Sequence, residues 1–158
     1  MKAALSLSLL LPAIAATPSR AQEASILVTG TCDQKSGVSI DDGANEHFAC
    51  DIAVITRTQR GTVLIQFTDR SGDDGRILGF AGVIEGKQGF GADTTQIMAV
   101  ERVYLAAGAD PILTSRGTCF MNWTGLHRAG GRLKSVLCAG RGEAEGADVK
   151  AIAALTAR

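Results

Sequence analysis

The stretch "GTCFMNWTGLHRAGGRLKSVLC", residues 117–138, carries one cysteine near its start, another at its end, and Gly130-Gly131 between them. Three chemistries fit such a pattern: a metal loop, a catalytic thiol, or a stapled hairpin. Metal binding calls for ligands clustered as in C-x-x-C, a spacing that occurs nowhere in the chain. A catalytic thiol calls for a neighbouring base and an unpaired cysteine, and neither is visible. The hairpin passes a register test. With Cys119 opposite Cys138 in an antiparallel pair, Phe120 faces Leu137 and Met121 faces Val136, apolar on both strands. The turn then falls at about His127–Gly130, where glycine supplies positive φ.

The other two cysteines, Cys32 and Cys50, are separated by a similar interval and lie far from the first pair. An even number of cysteines at paired spacings in an exported chain reads as a disulfide framework. The expected bridges are Cys32–Cys50 and Cys119–Cys138, and no metal site is expected.

Export is expected from the opening segment, "MKAALSLSLLLPAIAATPSRAQEA". Lys2 is followed by an apolar run too short to span a bilayer and then by small residues leading to Ser19-Arg20-Ala21, the layout of a secretory signal peptide. Cleavage after Ala21 makes residues 1–21 the leader and 22–158 a single β-rich domain, located in the periplasm or secreted. Cys32 lies too far from that point for a lipid anchor.

The whole chain has 16 basic and 16 acidic residues. Lys2 and Arg20 fall in the leader, leaving 14 basic against 16 acidic, a formal charge of −2. No basic field exists for nucleic acid or anionic lipid. An outer-membrane barrel would want aromatic girdles, but five Phe, one Tyr and one Trp are scattered along the sequence. No membrane span is expected.

Alternating apolar and polar residues recur outward from the hairpin. In "GTVLIQFTD" (61–69), Val63, Ile65 and Phe67 share a face; in "RILGFAGVIEG" (76–86), Leu78, Phe80 and Ile84 do, with Gly79 and Gly82 pointing to a bend or a close backbone approach. "HFACDIAVITRT" (47–58) reads as one strand with Phe48, Cys50, Ile52 and Val54 on one face. With 25–32, 95–106, 112–123, 132–141 and 148–157, eight strands are expected, joined by turn segments such as "DDGAN" and "RSGDDGR". "ADVKAIAALTAR" (147–158) is read as the last strand, with an Ala-rich helix capped by Asp148 as the alternative. The fold class is all-β: a small antiparallel eight-stranded barrel or sandwich stapled by two local disulfides.

The pieces "GTC…FAC", "GRILGFAG", "VERVYLA" and "RGTC…VLCAG" resemble small exported two-disulfide β-rich proteins of Gram-negative bacteria with no assigned function. The resemblance rests on cysteines, glycines and core positions, so it implies a fold and transfers no catalytic residue. In general shape the chain is also similar to periplasmic barrel inhibitors, an architectural likeness only.

Few residues suggest chemistry. His47 lies near Asp41, Asp42 and Glu46, a set able to hold a divalent cation if the loop folds back, but its spacing matches no known loop and a solvated acidic turn is preferred. Ser115 and Ser135 have no visible partner, and no G-x-S-x-G elbow occurs. No catalytic residue and no cofactor are expected. Trp123 reads as the rim of the core or as an anchor beside the hairpin tip, where Leu126, His127 and Arg128 would meet a partner.

The expected function is therefore that of an exported, non-enzymatic binding or inhibitor-like module presenting loops to a periplasmic or extracellular protein. The alternative is a calycin-like carrier of a small apolar ligand.

Overall fold

The computed structural model describes residues 24–58, 60–69, 76–125 and 131–158, so the expected leader, most of "RSGDDGR" and the tip residues Leu126, His127 and Arg128 lie outside the described part. Alternation builds strands throughout. They are β1 (Ala24–Cys32), β2 (Gly37–Ile40), β3 (Glu46–His47), β4 (Ile52–Arg57), β5 (Thr62–Thr68), β6 (Ile77–Phe90), β7 (Asp93–Tyr104), β8 (Ile112–Thr124), β9 (Arg132–Ala144) and β10 (Ala147–Ala157). The described residues contain no helix, and none is long and apolar enough to cross a membrane.

Hydrogen bonding runs β1-β4-β5-β6-β7-β8-β9-β10, antiparallel at every step. Gly30, Thr31 and Cys32 of β1 then pair with Ala157, Thr156 and Leu155 of β10, closing a ring of eight strands that are not spread evenly round an axis. The rest of that edge of β10, Val149–Ile152, is occupied by β2, which carries β3 in turn. One side of every ring strand turns inward, where Ile55, Ile65, Phe67, Phe80, Met98 and Met121 are fully buried. Phe67 and Phe80 meet edge to face with ring centroids 5.9 Å apart, the arrangement that the aromatic quadrupole favours.

The hairpin register is as expected. Cys119 pairs with Cys138, Phe120 with Leu137 and Met121 with Val136. A register shift follows Asn122, so Trp123 faces Leu133. Both disulfides form with the expected partners, Cys119–Cys138 at a Cα–Cα distance of 4.0 Å and Cys32–Cys50 at 5.3 Å. No cysteine is free.

Three local expectations are corrected or decided. Residues 47–58 do not form one strand: Glu46–His47 belongs to β3, and β4 begins only at Ile52. The break at 48–51 resets the alternation. Phe48 and Cys50 are buried, but the buried pair in β4 is Ala53 and Ile55, while Ile52 and Val54 are only partly buried. At the C terminus, strand wins over helix. Val149, Ala151, Ala153 and Leu155 are all buried, and partners on both edges of β10 supply the backbone hydrogen bonds that a helix would have satisfied internally. Finally, Gly82 sits at a register shift between β6 and β7, where a Cβ would overlap the Ala99 carbonyl oxygen. That is the close approach expected of it.

Candidate binding face

The site grows out of the β8–β9 ladder read pair by pair. Gly117 faces Gly140, Thr118 faces Ala139, Cys119 faces Cys138 and Phe120 faces Leu137. Successive pairs point to opposite sides of the sheet. The Gly–Gly and Cys–Cys pairs therefore look into the ring, and the Thr–Ala and Phe–Leu pairs look out.

Inside, the glycine pair draws the wall inward. A Cβ on Gly117 would lie 2.8 Å from Val100 Cβ, and one on Gly140 would lie 2.7 Å from Val103 Cγ2. Both valines, 5% and 2% exposed, thus pack on bare backbone. The next inward pair, the disulfide, is completely buried and ties the two strands together. Outside, the same steps run from small to large. Thr118 and Ala139 leave a low floor over the drawn-in wall, and Phe120 and Leu137 stand up beside it with 39% and 40% of their surface exposed.

The result is a recess of roughly 410 Å3 on the outer face of β8, β9, β10 and β2. Ile152 of β10 extends its apolar bed, and Ser39 and Asn45 border it on the side of the β2–β3 arm. Its volume lies in the lower part of the range typical of small-molecule sites, about 300–1,000 Å3.

Three cations rim the recess: Arg116, Arg141 and Lys150. Arg141 Nε donates to Asp148 Oδ1 at 2.7 Å, and this carboxylate holds the guanidinium pKa above its ordinary value through the hydrogen bond first and charge second. Lys150 pairs with Asp42 and lies 3.7 Å from Asp148 Oδ2. The Lys150 hydrogen bond, then its charge, holds the Asp42 carboxyl below the usual carboxylate range. Arg116 makes no ion pair among the described residues. Arg141 and Lys150 are thus each engaged by carboxylates, and Arg116 is the rim cation left without one among the described residues.

Of the site residues singled out from the sequence, none of the described ones lines the recess. Trp123 is 4% exposed and belongs to the core; its Nε1 is buried and has no hydrogen-bond partner among the described residues. Leu126, His127 and Arg128 are outside the described residues. The acidic group around His47 is dispersed into separate pairings. His47 Nδ1 donates to the Ser36 carbonyl oxygen at 3.1 Å, Asp41 Oδ1 accepts from the Asp148 backbone N–H at 2.8 Å, and Glu46 pairs with Arg76 at 2.8 Å. Among the described residues, no three His, Cys, Asp or Glu side chains are placed to hold a metal ion.

The hairpin register alone pairs Phe120 with Leu137 without placing the pair on the outside. The signal was present: once Cys119 and Cys138 point inward, their neighbours must point outward. The rim cations carried no comparable signal, because β2 and the β8–β10 strands come together only in the closed ring.

Comparison of the chain with protein-family models, with curated proteins and with solved structures gave no match.

Proposed function

We propose that the protein is an exported, non-enzymatic binding module: a flattened eight-stranded barrel, filled by its own side chains, that takes its partner on the outer recess. The observation that carries this reading is the contrast between the two faces of the β8–β9 ladder. The inward face is closed by a buried disulfide and by glycines packed on Val100 and Val103. The outward face exposes Phe120 and Leu137 side by side over a floor of small residues. Adjacent large apolar side chains at the edge of a concave surface are what a binding site offers and what solubility alone disfavours.

The ligand then lies on the wall rather than in a central cavity, over the paired β8–β9 ladder. Rigidity matters here, since a surface ordered in advance loses little entropy on binding. Cleavage after Ala21 and a periplasmic or extracellular location complete the proposal, in keeping with two disulfides.

The test is a titration with the apolar fluorescent probe anilinonaphthalene sulfonate. The wild-type protein is expected to bind it saturably at one site. Ala139→Trp, which fills the floor from the outside, is expected to remove that binding while melting within a few degrees of wild type. Undiminished probe binding by a folded Ala139→Trp variant would reject the recess as the binding face.

A further inference from the structure

We infer that the group bound by the recess is a small amphiphilic monocarboxylate, an acyl or aryl body ending in one carboxylate, with Arg116 as the anion's partner. The inference rests on the reading of the recess as the binding face and adds the chemistry of its occupant.

Two features select that chemistry. The bed is apolar and continuous from Phe120 and Leu137 across Ala139 to Ile152, so it favours a body without polar groups. The rim has one cation without a carboxylate partner. Arg141 and Lys150 are held by Asp148 and Asp42, whereas Arg116 makes no ion pair among the described residues, and a guanidinium matches a carboxylate in a two-pronged geometry. One apolar body and one negative charge complete the site.

The backbone argues for a free small molecule over a protein segment. The recess lies on the face of β8, β9, β10 and β2, whose mutual edges are already joined in the sheet. An extended peptide laid across β8, β9 and β10 would find both edges of each joined to neighbours, and only the short β2–β3 arm ends the sheet, so its own amides would gain little of the pairing that gives β-addition its affinity. A fatty or aromatic acid has no amides to satisfy.

The experiment uses the mature protein, with octanoate and 1-octanol as probes of matched chain length and different charge. Binding is followed by backbone amide shifts in two-dimensional NMR. The expected result is saturable octanoate binding with shifts centred on residues 137–139 and 150–152, at least tenfold tighter than 1-octanol. Lengthening the acid from hexanoate to octanoate should tighten binding about two- to fourfold per methylene. Arg116→Gln should cancel the advantage of the acid over the alcohol, and Arg116→Lys should keep most of it, with both variants melting as wild type does.

Equal binding of octanoate and octanol, or an Arg116→Gln variant that still prefers the acid, would overturn the inference and leave the binding face standing. Tighter binding at the recess by an apolar peptide than by octanoate would also overturn it, by assigning the recess to a protein. Failure of octanoate, octanol and anilinonaphthalene sulfonate alike would reject the binding face itself.

Discussion

Gly117 and Gly140 face each other across β8 and β9, and neither leaves room for a Cβ, because Val100 and Val103 occupy the space at 2.8 and 2.7 Å. The opposing atoms are buried and β-branched, so they cannot swing away as the end of a flexible chain would. This pair connects a sequence pattern, glycine on either side of a disulfide, to the concavity on the other face of the sheet.

Gly140→Ala is expected to destabilise the protein by about 1–3 kcal/mol through overpacking against Val103. Combining it with Val103→Ala should recover part of that loss, since the two changes share one space. Urea unfolding of the two single variants and the double variant measures the coupling; strict additivity would show that the clash has been misassigned.

The two disulfides differ in access. Cys119 and Cys138 are both 0% exposed, whereas Cys50 is 8% exposed and Cys32 only partly buried. A thiolate must reach the sulfur it attacks. Dithiothreitol under native conditions should therefore reduce Cys32–Cys50 first, as read by alkylation and peptide mapping. Removing Cys119–Cys138 as a double alanine variant should cost about 2–4 kcal/mol, with some further loss from the packing of the deleted sulfurs.

Gln96 is 1% exposed, and its Oε1 accepts from the Arg57 guanidinium at 2.8 Å. Arg57→Met leaves that oxygen buried without its donor and should cost about 1–3 kcal/mol. Replacing both, as Arg57→Met with Gln96→Met, should cost less than the first change alone. Thermal melts of the two variants beside the wild type decide it, and a double variant less stable than Arg57→Met would overturn the assignment.

Trp123 is a core residue by position, so Trp123→Ala should lower stability by about 3–5 kcal/mol rather than act as the loss of a surface anchor. Because Nε1 has no partner among the described residues, Trp123→Phe should cost little beyond the lost volume and keep the fold, visible as an unchanged far-ultraviolet spectrum. Octanoate binding at the outer recess should survive this second change.

Acid dependence follows from the exposed carboxylates. Asp42 is held below its ordinary value by Lys150. Asp93 is held down by the Thr124 hydroxyl first and then by Lys134. A carboxyl with a depressed folded pKa contributes stability that is present above its unfolded value, about 3.9, and lost as pH falls through the folded value. Stability should be flat in these groups from pH 7 to 5 and fall below about pH 4. Asp42→Asn and Asp93→Asn should each flatten the acid limb of a melting-temperature profile.

Much of the fold was legible because its determinants are local. Val63, Ile65 and Phe67 alternate with partly buried neighbours, and a period of two specifies a half-buried strand without reference to anything distant. The Cys119–Cys138 register was legible too, since one pair in an antiparallel ladder sets all the others until a bulge intervenes. The shift after Asn122 is where that inference stopped holding.

What lay beyond the sequence is non-local. Whether residues 147–157 become strand or helix is decided by hydrogen bonds from β9, β1 and β2, which outweigh the helix propensity of alanine. The reset between Cys50 and Ile52 depends on β3 leaving to pair with β2. The candidate site depends on closure most of all. Arg116, Arg141 and Lys150 belong to three strands, and Val100 and Val103 to a fourth. Alternation along one strand tells which residues share a face; only the packed ring decides how closely two walls approach, and the width of that approach determines whether the opposite face is flat or hollow.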